Sequence, residues 1–327
     1  MTSTRTRAVA LALAAIATIG LAACTSGGAG GGTTGGRTQI TVVDAPVAGT
    51  APLWVALEQG FLEDNGLDVE LLPPSASSES TVPVIVSGSA DLGMIGAATV
   101  LQAAGQGITV RVIAGLSRYA ETAEEDGSGI FVRADSGLTL ADFGAGTKLG
   151  VLGVSSQSTL ATKTAIERAG GDPGAVEYLQ VPYDSMQSMI ERGDIDGGLM
   201  TEPRFTSALQ NPALTQISSP LSEGAPGLAE IIIFSSKTWL DENAAVVEPL
   251  RKALASAVEW IHDPGNEDEL VKIIAEHTGL EPNTVNEMRR SVVRAELTIA
   301  DLEAVEEFAR SYDTITAPID LEEILAP

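Results

Sequence analysis

The sequence predicts an α/β protein built as two lobes of like construction, and three observations predict it. Strand and helix signals alternate from residue 38 onward, which implies a mostly parallel sheet covered by helices. One unit of that pattern (strand, helix, Gly stop, Asp, strand of small residues) occurs at 66–94 and recurs at 174–200. From Lys237 the chain carries apolar residues at three-to-four spacing, a helical block that would return to cover the first lobe.

The elements follow in order. Residues 38–43 are rich in β-formers and read as the first strand. Thr50-Ala51-Pro52 reads as a helix start, a hydroxyl cap followed by Pro in the first turn. That helix carries Leu53, Trp54, Ala56 and Leu57 and stops at Gly60. Residues 67–72 form a second strand, 80–86 a helix stopped by Gly88, 91–95 a third strand, 98–104 a short helix and 108–116 a fourth strand. A strand at 149–154 precedes a helix at 159–169, and Ile231-Ile232-Ile233-Phe234 is again a strand. Helices at 246–261, 268–276 and 301–312 make the final block, punctuated by Pro249, Pro264 and Pro282.

The N-terminus is a targeting segment and stands outside the fold. Arg5 and Arg7 precede an apolar run at 8–21, too short for a membrane span of roughly 20 residues. The run ends in Leu21-Ala22-Ala23-Cys24, small residues before the only cysteine. This pattern resembles the bacterial lipoprotein signal, in which Cys24 is lipidated and becomes the first residue of the mature chain. Residues 1–23 are then a signal peptide and 24–37 a Gly-rich tether too poor in apolar groups to pack.

Without Arg5 and Arg7 the 19 basic residues fall to 17 against 44 acidic ones, a net charge of −27. So acidic a body argues against nucleic acid as a partner and reads as a soluble, non-sticky surface. It also disfavours docking on anionic lipid, leaving the lipid anchor as the membrane attachment. With the single Cys at the anchor, the body has no disulfide.

Seven short segments carry a family resemblance. They are Ala51-Pro52-Leu53-Trp54-Val55-Ala56, Gly60-Phe61-Leu62, Gly66-Leu67-Asp68-Val69-Glu70 and Ser87-Gly88-Ser89-Ala90-Asp91-Leu92-Gly93, then Leu140-Ala141-Asp142-Phe143, Gly193-Asp194-Ile195-Asp196 and Thr201-Glu202-Pro203-Arg204-Phe205. By their order and spacing the chain resembles the substrate-binding proteins of ABC importers of the nitrate, sulfonate and taurine type, related to those for thiamine precursors. The resemblance implies a type II periplasmic-binding-protein-like fold: two α/β lobes joined by a hinge crossed twice, closing on a ligand in the cleft. The crossings fall near 116–121 and 229–234. Lobe one is then 38–118 plus 234–327, and lobe two 119–233. An ABC permease and its ATPase are implied as partners of a monomeric binder, with no cofactor.

In open parallel sheets ligands sit beyond the carboxyl ends of strands, where helix N-termini converge. Three loops qualify. The first follows the first strand and offers the backbone N–H groups of Thr50 and Ala51 and the ring of Trp54. The second is Gly96, Ala97, Ala98 and Thr99. The third is Ser155, Ser156, Gln157, Ser158 and Thr159, four hydroxyls and an amide at a helix start. Free N–H groups and the helix dipole there favour an anionic or strongly polar group, although ordinary capping needs only one hydroxyl. Arg118 is placed to pair with a carboxylate or sulfonate, Tyr183 to face the cleft, and Glu202 to meet a ligand amine. Each has a plain structural alternative: Trp54 in the core, Arg118 on the surface, Glu202 as a solvated acid before Pro203. The expected ligand is a sulfonate, taurine or nitrate-like molecule. The alternatives are a flat heteroaromatic such as a thiamine pyrimidine precursor, or a ligand sensed rather than transported.

An enzyme needs a catalytic constellation, and none is legible. His262 and His277 lack metal spacing, and there is neither a Gly-x-Ser-x-Gly elbow nor a Walker loop. A pyrimidine-precursor synthase shares the fold type, but it would be cytosolic and histidine-dependent.

Overall fold

A computed structural model describes residues 33–34, 36–75 and 78–327, and these form two β-sheets flanked by helices. The expected signal peptide, Cys24 and most of the tether lie outside the described residues. Among those described, no helix is long and apolar enough to cross a membrane. Part of the tether is not free chain: Thr33–Thr34 pairs antiparallel with Arg37 and Thr38. Two β-branched residues and a turn through Gly36, φ 89°, explain the pairing.

The first sheet collects β1 (Arg37–Val43), β2 (Leu67–Leu72), β3 (Leu92–Gly96) and β4 (Val110–Gly115). Helices α1 (Ala51–Glu58), α2 (Ser78–Val86) and α3 (Ala97–Gly105) alternate with them. The second sheet holds β5 (Ser128–Arg133), β6 (Lys148–Val151), β7 (Glu177–Gln180), β8 (Gly197–Thr201) and β9 (Leu214–Ser218). Its helices are α4 (Gln157–Arg168), α5 (Met186–Arg192), α6 (Arg204–Leu209) and α7 (Pro220–Gly224). The chain then re-enters the first sheet as β10 (Ile231–Ser236) and ends in α8 (Val247–Ile261), α9 (Glu267–Thr278) and α10 (Ile299–Arg310), with short pieces between.

The strand orders are β2-β1-β3-β10-β4 and β9-β5-β8-β6-β7. The sheets are mixed, which corrects the expectation of mostly parallel ones. In the first, β10 runs antiparallel to both β3 and β4. In the second, β5 runs antiparallel to both β8 and β9. Apart from the short Thr33–Thr34 pairing, the remaining pairs within these two sheets are parallel. Strands laid down by βαβ crossovers must be parallel. The two exceptions are the strands that arrive from the other sheet, and they enter from the opposite end.

Each sheet buries both faces. On the first, Trp54 and Leu53 of α1 pack with Leu250 and Leu254 of α8 and Ile273 and Ile274 of α9. The other face takes Ile85 of α2, Leu101 of α3, and Leu302 and Val305 of α10. The C-terminal block therefore covers both faces of the first lobe. The second sheet packs Phe143, Leu149 and Ile166 on one side and Phe131, Met186 and Phe205 on the other. Burial of a side chain such as Phe131 contributes roughly 1.5–3 kcal/mol.

The passages between the sheets lie side by side. The Leu116 N–H donates to the Ile231 carbonyl at 2.8 Å, Tyr119 N–H to Leu228 O at 2.9 Å, and Glu230 N–H to Ser117 O at 2.9 Å. A third segment joins them: Val292–Val293 pairs with Ser117–Arg118. The C-terminal block also reaches the second lobe, where the Thr164 and Tyr312 hydroxyls lie 2.5 Å apart. Helices α4 and α7 meet so closely that a Cβ on Gly224 would stand 2.0 Å from the Ala161 carbonyl oxygen, so only glycine fits.

Candidate ligand-binding site

Two helices start where the lobes meet. Helix α3 begins directly after β3, and its first N–H, from Ala97, donates to the Glu230 carbonyl at 2.8 Å. The next, from Ala98, donates to Gln157 Oε1 at 3.1 Å. Gln157 is the first residue of α4, in the other lobe, and its Nε2 donates to the Ala229 carbonyl at 2.8 Å. One amide, 8% exposed, thus ties the second lobe to a helix terminus of the first and to the returning chain. These two hydrogen bonds are buried, where a lost partner is costly.

Three further side chains gather there. The Tyr119 phenol bonds the Gln157 side chain and lies near Glu230 and Asp126; burial, then those two carboxylates, push its pKa well up. Asp126 is 2% exposed, and its carboxylate accepts from the Ser128 N–H and hydroxyl and from the Ser222 N–H. Glu230 accepts from the Ser117 hydroxyl on Oε2 at 2.8 Å. Its Oε1 has no hydrogen-bond partner among the described residues, and the residue is partly exposed although protein surrounds it. Burial first, and the Asp126 charge besides, raise its pKa to about 7 despite the Ser117 bond.

The expected residues fall into distinct places. Gly96, Ala97, Ala98 and Thr99 form the start of α3, and Ser156, Gln157, Ser158 and Thr159 the start of α4, so Gln157 brings the second and third loops together. Ser156 is the N-cap, accepting from the Thr159 N–H. The Ser156 and Thr159 hydroxyls both donate to the Gly153 carbonyl, at 2.8 and 2.7 Å, and Ser158 Oγ lies 3.1 Å from Ser156 Oγ. The surplus of hydroxyls is therefore largely taken by the loop itself; Ser155 is exposed.

The first loop differs more from expectation. The N–H groups of Thr50 and Ala51 are not open, because they bond the Val47 and Ala48 carbonyls. The Thr50 hydroxyl does not cap α1 but donates to Ala45 and Val47. Trp54 is 0% exposed, stacked on His277 at 4.9 Å and bonded through Nε1 to Asp44. Its ring lies in the core, the structural alternative. Arg118 pairs with Asp301 at 2.8 Å and donates through Nη1 to the Gly227 carbonyl, while its buried Nε has no hydrogen-bond partner among the described residues. Glu202 accepts from the Arg289 N–H at 2.9 Å and from the Thr206 hydroxyl at 2.8 Å, fastening the C-terminal block to the second lobe. Tyr183 opens a short turn, and its side chain lies outside what is described.

Ser117, Tyr119, Asp126 and Glu230 were not singled out from the sequence. The available signal was weak: a lone carboxylate directly before Ile231-Ile232-Ile233, and an acid at the end of an acidic run. Among the described residues no group of His, Cys, Asp and Glu could hold a metal ion.

Residues 48–267 match the NMT1/THI5-like family model, and the chain belongs to that family. A formylaminopyrimidine-binding protein of Halalkalibacterium halodurans is 23% identical over 68% of this chain and 64% of its own. A protein named 4-amino-5-hydroxymethyl-2-methylpyrimidine phosphate synthase, from Aspergillus parasiticus, is 26% identical over 64% of this chain and 62% of its own. The matches thus span less than two thirds of either relative. Among solved structures, the periplasmic aliphatic sulphonate binding protein SsuA of Escherichia coli superposes with a TM-score of 0.70 at 13% identity, covering 88% of this chain and 96% of that one. The periplasmic nitrate-binding protein NrtA of Synechocystis PCC 6803 gives 0.67 at 15% identity, covering 88% and 86%. These likenesses establish the fold, that of periplasmic binding proteins with two mixed α/β lobes.

Proposed function

We propose that this protein captures a small polar solute between its lobes and delivers it to an ABC permease and ATPase. The observation that carries the reading is the Gln157 bridge, by which a helix start of one lobe bonds a helix start of the other across a polar junction. Lobe one is 38–118 plus 234–327 and lobe two 119–233. The protein stands outside the cytoplasmic membrane as a monomer, tethered by lipid on Cys24 after removal of residues 1–23; the sequence around Cys24 supports this. A ligand meets one lobe first and recruits the other, shifting an open–closed equilibrium. The ligand groups are drawn from Thr99, Ser155, Ser156, Gln157, Ser158 and Glu230. The fold's kinship with sulphonate and nitrate binders supports capture, and the pyrimidine names of the curated relatives support an aminopyrimidine as a second ligand reading.

The synthase relative raises an enzymatic alternative, which we do not favour. His277 stacks on Trp54 inside the first lobe, and exposed His262 ends α8, so neither histidine stands among the junction groups.

A thermal-shift screen of the full chain against ethanesulfonate, taurine, nitrate, 4-aminopyrimidine and ethanolamine tests capture. A ligand at 100 times its Kd adds about 2.7 kcal/mol to stability, a shift of several degrees. One chemical class is expected to give it; no shift with any contradicts the reading. Fractionation tests the tether: the protein is expected in the membrane fraction, and Cys24→Ala is expected to release it.

A further inference from the structure

Besides the two crossings, side chains fasten the second lobe to the first on two sides, and the fastenings differ in kind. On the α3–α4 side the bonds are neutral: the Ala98 N–H to Gln157 Oε1, Gln157 Nε2 to the Ala229 carbonyl, and the Thr164–Tyr312 hydroxyl pair. On the other side the fastening runs through Arg289, between α9 and α10. Its Nη1 donates to the Ala123 and Asp126 carbonyls at 2.7 and 2.6 Å, and its N–H to Glu202 Oε1 at 2.9 Å. The guanidinium lies 4.7 Å from the centre of the Phe205 ring, and Glu287 accepts from Gln210 Nε2 at 2.9 Å. Arg290 turns the other way, to Glu267 and the Val285 carbonyl of its own block. Consecutive arginines thus staple this segment to both lobes.

The fastenings lie on opposite faces of both sheets. Met288 joins the core between the first sheet and α8 and α9, and Phe205 one face of the second sheet. Ala161 of α4 joins the core on the first sheet's other face, and Ile166 the other face of the second. Two physical arguments make the Arg289 side the fixed one. Hydrogen bonds with an ionised partner are stronger than neutral ones, and a cation over a ring adds to them. Distance from the crossings also counts. Arg289 shortly precedes Val292, which pairs with Arg118 of the first crossing, so a swing about the crossings moves it little. Gln157 bonds the second crossing at Ala229, but Thr164 stands two turns further along α4, about 10 Å at 1.5 Å per residue, and travels further.

We propose that Arg289 is the pivot of lobe motion: the second lobe swings on the 287–290 segment and parts from the first at the α3–α4 face, which is therefore the side where solute enters and leaves. This proposal rests on the open–closed reading above.

Amide exchange by NMR and small-angle scattering test it on the full chain without ligand, because the residue-289 N–H itself bonds across the lobes to Glu202. In Gln157→Ala the radius of gyration is expected to rise while the residue-289 amide keeps its wild-type exchange rate. In Arg289→Met, which keeps an apolar stem over Phe205 but no donors, that amide is expected to exchange tenfold faster or more, with β1 and β3 unchanged. Arg289→Lys, which keeps a cation facing the Ala123 and Asp126 carbonyls, is expected to restore most of the protection. A tenfold faster residue-289 amide in an opened Gln157→Ala means that the lobes part on both faces; it overturns the pivot and leaves capture standing. Unchanged exchange at residue 289 in Arg289→Met overturns the pivot equally, as does lost protection throughout β1 and β3, which would make Arg289 a determinant of the fold. An unchanged radius of gyration in Gln157→Ala overturns the open–closed reading, and the pivot falls with it.

Discussion

Replacing Gln157 by Ala is expected to open the molecule. The side chain accepts from the Ala98 N–H and donates to the Ala229 carbonyl, and both bonds are buried. Truncation strands one donor and one acceptor, at about 1–3 kcal/mol each. The lobes can recover part of that only by parting, which lets water reach both groups. The cost, about 2–4 kcal/mol, therefore falls mainly on the closed arrangement rather than on either lobe. Small-angle scattering is expected to show a larger radius of gyration for the variant, with circular dichroism unchanged. Gln157→Glu is expected to behave similarly: a carboxylate cannot donate to the Ala229 carbonyl, and it adds charge beside Glu230 and Asp126. Identical scattering from wild type and Gln157→Ala would remove the bridge as a closing element.

The second large effect concerns pH. The Glu230 pKa is about 7 in the folded protein against 4.5 for an ordinary Glu. The folded state therefore holds this proton more tightly between those values. Its contribution to stability is complete below pH 4.5 and is lost as pH rises through 7, by up to about 3 kcal/mol at 1.36 kcal/mol per unit. Glu230→Gln lacks the titration and keeps an oxygen for the Ser117 hydroxyl. Urea denaturation is expected to show the variant more stable than wild type at pH 8, with the difference shrinking towards pH 4. Parallel stability profiles across that range would mean that Glu230 is solvated in the folded state.

Local signals in the sequence read the elements well. The strand at 67–72 has the observed bounds, and Gly60 and Gly88 stop their helices with φ of 77° and 73°. Each of these rests on one residue's conformational preference or on a short periodic run, which the chain carries in itself. The sense of β5 and β10 was not legible, because alternating apolar residues look alike in parallel and antiparallel strands. The 155–159 segment was legible as a helix start rich in hydroxyls. That Gln157 reaches across to Ala98, and that the hydroxyls turn to Gly153, depends on backbone groups that composition does not reveal. Asp126 follows Glu124 and Glu125, which are exposed, yet it is buried; only the placement of Ser128 and Ser222 distinguishes it. Trp54 illustrates the converse. A ring near a candidate loop suggested stacking on a ligand, and His277, more than two hundred residues later, occupies its face.

The measurement that most directly tests solute capture at the junction is hydrogen–deuterium exchange on the full chain, with and without the solute giving the largest thermal shift. Ligand held between the lobes is expected to slow exchange at 96–99 in one lobe, at 155–159 in the other, and along the crossings at 116–119 and 228–231 together. Protection confined to a single lobe, or lying away from these four segments, would contradict a site shared by the two lobes.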